Sequence, residues 1–363
     1  YNPTMSVALR SLASLLGTLH ILLVFGIMLV CCNLLLVISW LFVRPISEKW
    51  HQRLLCHCTS RWSYNYLLDW AQTVGGLSIH VSGDVEALLR VHTGSKIVIS
   101  NHVSYTDSFI VYGLARMVGQ HGQLRSFAKR SLVYMPAVGW FWAFLNFIFL
   151  SRDWDKDRAY IAKQLINLKR ISKMYFTQSF WLLIFPEGTR FRNDKQEKGA
   201  QFSKERGLPV FENTLVPRVK GFQSSLESVR DSIDGIVDVT IGYSVRTKRG
   251  SALPSVGMLF FSGFDKSWPI HVHVRVIPIA QVPTEPEKVS AWTMELFQEK
   301  DKLLSTFKAE GKFPGTAVPC SPTTPFQTVA GLAYGIVCSA VVITLPFAPA
   351  VISFAAAAAG FAT

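Results

Sequence analysis

The sequence predicts an α/β domain, a mixed sheet covered by helices, set between apolar segments long enough to enter a membrane. Three observations lead there. Short runs rich in β-branched and aromatic residues alternate with longer helical stretches, an order that layers helices on a sheet. No charged residue occurs from Leu15 to Val43, and two further apolar runs, Thr328 to Leu345 and Ala350 to Phe361, lie near the end. Of the 363 residues 49% are hydrophobic, and the mean hydropathy is +0.26, a greasy balance for a soluble protein.

Taken in order, the N-terminal run exceeds the roughly 20 apolar residues that a spanning helix needs. It is too long for the apolar stretch of a signal peptide, and Arg44-Pro45 follows it where a cleavage site would need small residues. Residues 1–45 are therefore expected to form a retained anchor, one helix or a pair that enters and leaves the same leaflet. The chain begins at Tyr1 rather than a methionine, which leaves room for an upstream segment. Strands are expected at Leu77–Val81, Ile97–Ser100, Phe147–Leu150, Trp181–Phe185, Ile236–Tyr243 and His271–Ile277. The last alternates Val272, Val274 and Val276 with His271, His273 and Arg275 until Pro278 interrupts it. Helices are plainest at Asp155–Ser172 and Val289–Lys308. The apolar stretch Met135–Leu145 fits a core helix, a membrane-facing helix or the wall of an acyl-chain tunnel. Residues 46–315 thus read as one domain and residues 326–363 as C-terminal membrane helices.

Charge sets the surroundings. Arg44, Lys49, Arg53 and Arg61 follow the first apolar run, and Lys300, Lys302, Lys308 and Lys312 precede the second. Both flanks belong to the middle segment, which the positive-inside rule places in the cytosol. A net charge of +13 with no aromatic RNA-binding signature or zinc-finger spacing excludes nucleic acid and suits anionic lipid headgroups and phosphate-bearing substrates. Cys56-His57-Cys58 lacks the spacing of a tetrahedral zinc site, and no metal site or disulfide framework is expected.

The chemistry concentrates in two segments. Asn101-His102-Val103-Ser104-Tyr105-Thr106-Asp107 sets a histidine and a carboxylate with four residues between them, just after a strand-like run. A histidine held by an aspartate is a general base. No Gly-x-Ser-x-Gly elbow accompanies it, so the nucleophile should arrive with the substrate. Five positions rotate too far for the two side chains to stack on a regular helix. His102 is therefore expected on a strand-to-helix loop and Asp107 in the helix's first turn, where it suits the helix dipole. Farther on, Trp181-Leu182-Leu183-Ile184-Phe185 breaks into Pro186-Glu187-Gly188-Thr189-Arg190, a tight turn presenting a carboxylate, backbone amides and a guanidinium.

Together these motifs resemble those of the glycerolipid acyltransferases, in particular the 1-acylglycerol-3-phosphate acyltransferases of the endoplasmic reticulum. The resemblance covers roughly residues 90 to 245 and takes in Ala128-Lys129-Arg130, Phe149-Leu150-Ser151-Arg152 and Val216-Pro217-Arg218-Val219-Lys220-Gly221. It implies the glycerolipid acyltransferase fold, lysophosphatidate as acceptor, acyl-CoA as co-substrate rather than cofactor, and an endoplasmic-reticulum membrane with the catalytic domain facing the cytosol. His102 and Asp107 would be catalytic. Gly188 would serve the oxyanion or the turn. Glu187 would hold the acceptor's glycerol or order the turn. Arg190, Lys129 and Arg152 would bind the acceptor's phosphate, supported by Asn101, Arg130, Thr189 and Lys198. A remodelling acyltransferase for lysocardiolipin or lysophosphatidylinositol uses the same chemistry, and a non-catalytic lipid-binding scaffold would have no use for His102 and Asp107 together.

Overall fold

The run Ile97-Val98-Ile99 shows how the core is built. In a strand successive side chains point to opposite faces, so Val98 enters one apolar cluster and Ile97 and Ile99 another. The same division separates Leu183 from Leu182 and Ile184 in the neighbouring strand. A strand buried on both faces needs helices on both, and the helical stretches supply them.

The computed structural model describes residues 7–56, 61–73, 75–91, 93–174, 179–244 and 268–320. Its strands are β1 (Leu77–Gly83), β2 (Lys96–Ser100), β3 (Leu124–Lys129), β4 (Ile148–Leu150), β5 (Trp181–Ile184), β6 (Gly235–Tyr243), β7 (Trp268–Pro278) and β8 (Val318–Pro319). They form one sheet in the order β4-β3-β5-β2-β6-β7-β1-β8. From β4 to β6 all pairings are parallel. β7 runs antiparallel to β6 and parallel to β1, and β8 closes the edge antiparallel to β1. The mixed sheet is thus as expected, with β3 and β8 added to the anticipated strands.

The helices are α1 (Val7–Ile38), α2 (Glu48–Arg53), α3 (Arg61–Thr73), α4 (Val85–Leu89), α5 (Asp107–Met117), α6 (Val138–Phe144), α7 (Trp154–Met174), α8 (Asn193–Glu205), α9 (Val219–Val229) and α10 (Pro286–Glu310). Residues of α1, α3, α5 and α6 share one cluster with Val98, Leu183 and Val237. On the other face α7, α9 and α10 contribute Leu165, Phe222 and Phe297 to the cluster of Ile97 and Ile99.

Among the described residues the N-terminal segment is one continuous helix rather than a pair, α1 running into a wider π-helical turn at Ser39–Val43. Leu22–Val43 is long and apolar enough to cross a membrane. One side of it is docked: Met28, Leu29, Cys32 and Leu36 are buried in the core, and the Asn33 amide donates to the carbonyl of Ala137 at 3.0 Å. The rest of its surface leaves Leu22, Leu23, Leu34, Leu35 and Phe42 exposed. The expected C-terminal membrane helices, 326–363, lie outside the described residues. Within the stretch 135–145, Phe141 and Leu145 are core, whereas Trp140 of α6 is exposed.

One expectation about charge is corrected. Lys300 is not a flanking surface cation but is fully buried on α10, where its ammonium pairs with Asp238 and donates to the Val239 carbonyl at 2.6 Å. Asp238 is also gripped by the Arg275 guanidinium at 2.7 Å. Burial pushes the ammonium's pKa down, and the Asp238 carboxylate opposes that shift. Removing one partner of a buried ion pair costs about 3 to 5 kcal/mol because the other is left unpaired. Asp238→Asn should therefore destabilise the domain by about that amount. Lys300→Met should cost less, because Arg275 still serves Asp238. Chemical denaturation of the detergent-solubilised chain measures both, and equal or negligible losses would contradict the assignment.

Candidate active site

The loop from β2 to α5 and the loop after β5 begin on adjacent parallel strands, Ile99 lying opposite Ile184. Both motifs therefore emerge side by side at the carboxyl ends of the strands, where open α/β sheets bind their ligands. His102 stands on the first loop and Asp107 opens α5, as expected. The Nδ1 atom of His102 lies 2.8 Å from Oδ2 of Asp107. The same oxygen accepts the backbone N–H groups of Val103 at 2.7 Å and Ser104 at 2.9 Å, while Oδ1 accepts the hydroxyl of Tyr243. With Asp107 ionised, Nδ1 is the donor, which leaves Nε2 as the basic nitrogen. Nε2 makes no hydrogen bond among the described residues, and the His102 side chain keeps 20% of its surface exposed. Its ring is steadied by stacking on Phe185, centroids 4.1 Å apart.

The two loops are tied to each other. Glu187 is buried, and its oxygens accept the N–H of His102 at 2.9 Å and of Leu215 at 3.2 Å. These hydrogen bonds order the turn, one of its two expected roles. Burial pushes its carboxyl well above the usual range, opposed by those two N–H groups. Phe191 N–H donates to the carbonyl of His102 at 2.6 Å. Gly188 has φ of 66°, and a Cβ there would meet Cδ of Arg218 at 3.1 Å, so the turn favours glycine. Its N–H donates to Phe185 O at 2.9 Å. Gly188 therefore makes the turn and does not itself offer an oxyanion donor. The N–H groups of Thr189 and Arg190 have no acceptor among the described residues. Asn101 is a fastener rather than a ligand, its amide exchanging hydrogen bonds with Ile241 at 2.8 and 3.1 Å.

The cations gather beside this pair unequally. Arg190 lies over the Tyr105 ring, 3.4 Å from its centroid, which holds the guanidinium close to the His102 loop. Arg152, with φ of 70°, follows β4, and its N–H is fixed to Asp157 at 2.8 Å. Lys129 ends β3 opposite Leu150 of β4. All three follow carboxyl ends of parallel strands and so share the edge with His102. At about 4.8 Å per strand, β3 lies about 10 Å and β4 about 14 Å from β2, so Lys129 and Arg152 form an outer rim. Arg130 and Lys198 are exposed, as is Lys129.

Comparison with known proteins now decides the family. A family model described as Acyltransferase matches residues 82–244, and one described as Acyltransferase C-terminus matches residues 260–331. The chain is 30% identical over 312 residues to "1-acyl-sn-glycerol-3-phosphate acyltransferase delta" of Mus musculus, covering 85% of this chain and 77% of that protein. It is 32% identical to "Probable 1-acyl-sn-glycerol-3-phosphate acyltransferase 5" of Arabidopsis thaliana, covering 79% and 73%. With the gamma form of Homo sapiens it shares 30% identity over 75% of this chain and 68% of the relative. The chain belongs to the 1-acyl-sn-glycerol-3-phosphate acyltransferase family.

In this acyltransferase two contributors escaped the sequence reading. Lys195 of α8 donates to the hydroxyl of Thr189. Partial desolvation, together with the charges of Arg192, Arg152 and Arg190, holds its ammonium below the usual lysine range. It therefore belongs to the cation cluster in the place expected for Lys198, and only its spacing of one helical turn from Lys198 could have suggested it. The second is Tyr243, at the end of β6, whose buried hydroxyl serves Asp107 and Thr106. Burial, then the charge of Asp107, pushes its phenol well above the usual range, so it remains a donor. A hydrogen bond to a charged group contributes about 1.5 to 3 kcal/mol. Tyr243→Phe should thus lower kcat about 10-fold or more and leave KM for both substrates near its original value. Unchanged kcat would mean that the other donors suffice to hold Asp107.

Proposed function

We propose that the chain transfers the acyl group of acyl-CoA to the free hydroxyl of 1-acyl-sn-glycerol 3-phosphate (lysophosphatidate), giving phosphatidate. The observation that carries this reading is the His102–Asp107 pair, 2.8 Å apart, beside a cation cluster at the same sheet edge. The names of the relatives support the acceptor. Nε2 of His102 takes the hydroxyl proton as the oxygen attacks the thioester carbonyl. Asp107 holds the ring and stabilises the imidazolium. The tetrahedral intermediate collapses by expelling the CoA thiolate, which recovers the proton from His102. Thr189 and Arg190 N–H are the donors the turn leaves for the oxyanion. No metal or cofactor enters these steps.

Arg190 and Lys195 are assigned to the acceptor's phosphate, with Arg152 and Lys129 completing the site from the rim. A planar guanidinium grips two phosphate oxygens at once, and a monoester offers more charge to grip than a diester. The exposed apolar side of α1 supports an anchor in a membrane, for which we infer the endoplasmic reticulum with the domain facing the cytosol. Arg44, Lys49 and Arg53 support that orientation. If it holds, protease added to sealed microsomes should cut the domain, and glycosylation sites engineered into it should stay unmodified.

Three measurements test the chemistry. His102→Ala should lower turnover at least ~100-fold with the fold retained; near-normal turnover would overturn the mechanism. Arg190→Lys should raise the apparent KM for lysophosphatidate while acyl-CoA saturation changes little. The ratio of activity on lysophosphatidate to that on a lysophosphodiester should fall when Arg190 is lost. Equal losses on both substrates would assign Arg190 to ordering the turn and favour a remodelling acyltransferase.

A further inference from the structure

A second cleft, of about 410 Å³, opens far from His102, between the end of the anchor helix, α2, α6 and the last turns of α7. Volumes of this order suit small-molecule ligands. Its wall combines the aromatic rings of Trp40, Trp140 and Phe144 with the guanidinium groups of Arg44 and Arg170 and the carboxylate of Glu48. Arg170 lies 16 residues beyond Trp154, where α7 begins near Arg152. At 1.5 Å per residue that is about 24 Å along the helix, toward the amino ends of the strands and away from the catalytic edge. The cleft therefore belongs to neither the proposed acceptor site nor the His102 pair.

Position and chemistry together define an occupant. Trp40 and Arg44 lie where Leu22–Val43 ends, and the rim rings Trp40 and Trp140 are 48% and 53% exposed. Exposed tryptophans at the end of an apolar helix mark the level of lipid headgroups. Among the lining side chains two guanidinium groups stand against one carboxylate, Arg170 also donating to Oδ1 of Asn167 at 3.1 Å, and burial lowers the pKa of His51. A phosphodiester carries one negative charge, whereas a phosphate monoester approaches two. Arg44 reaches Glu48 through Nε at 3.0 Å, so the carboxylate orients the guanidinium and competes with an anion for it.

We propose that this cleft binds one anionic glycerophospholipid of the surrounding bilayer through its diester phosphate, with the glycerol and first acyl carbons against the tryptophans. The proposal rests on the reading that α1 lies in a membrane. The full chain, delipidated in detergent, would be titrated with phosphatidylglycerol, phosphatidylcholine and phosphatidate, and bound lipid counted by native mass spectrometry. The wild type should retain one phosphatidylglycerol in preference to the other two. Arg44→Gln with Arg170→Gln should weaken that binding about tenfold or more. Glu48→Gln, which removes the competing carboxylate, should tighten it while basal acyl transfer stays unchanged; this gain cannot come from misfolding. Equal retention of phosphatidylglycerol and phosphatidylcholine, or no response to Glu48→Gln, would overturn the proposal, and so would a preference for phosphatidate. Flotation with phosphatidylcholine vesicles separates the two readings. A chain that does not float refutes the membrane anchor, whereas a chain that floats but shows no charge-dependent lipid retention refutes the cleft alone.

Discussion

The site depends on satisfying one carboxylate where water cannot reach it. Asp107 is fully buried, and an unpaired ion there would cost several kcal/mol. It is sustained by donors from three directions: the ring of His102, the N–H groups of Val103 and Ser104, and the hydroxyl of Tyr243. Each donor also fixes something else. The loop amides set the path of the chain into α5, the phenol pins β6 to that loop, and the imidazole is left with one tautomer and one outward nitrogen. The geometry of the base follows from satisfying the acid.

The partner loop obeys the same constraint. Glu187 is a second buried carboxylate, and it too is engaged by the backbone, from His102 on one side and Leu215 on the other. The two motifs are 85 residues apart in sequence, yet they behave as one rigid piece because adjacent parallel strands deliver them. The cations are held less firmly. Arg190 rests on an exposed aromatic ring, and Lys129 is exposed at the rim with no side-chain partner among the described residues.

Much of this was legible in the sequence where side-chain period and local motif coincide. The alternation of Val272 and Val274 with His271 and His273 marked β7, and the valines are core while the His271 ring lies against His80 and Phe307. β3 was not legible because Leu-Arg-Ser-Phe-Ala-Lys carries a cation where a buried residue should stand. Arg125 is nevertheless buried, its guanidinium taken by the carbonyls of Gly122 and Leu124 and by Sγ of Cys56. Those partners come from tertiary structure, as do the links of Tyr243 to Asp107 and of Lys300 to Asp238. Asn101 was drawn toward the substrate by its place in the motif, whereas its actual neighbour, Ile241, lies 140 residues away. Local sequence reported which residues were chemically able; the long-range pairings decided which of them are fastened into the fold.

The place of β6 beside β2 also bears on how the protein is made. Asn101 and Asp107 acquire their last partners only when Ile241 and Tyr243 arrive, the latter 136 residues after Asp107. At 5 to 20 residues per second, a ribosome takes on the order of ten seconds to cover that distance. During that interval α1 has already been synthesised, while Asp107 lacks its phenol and the centre of the sheet lacks a strand. A nascent chain at that stage carries both motifs without the phenol that holds Asp107 and without the strand that fastens Asn101.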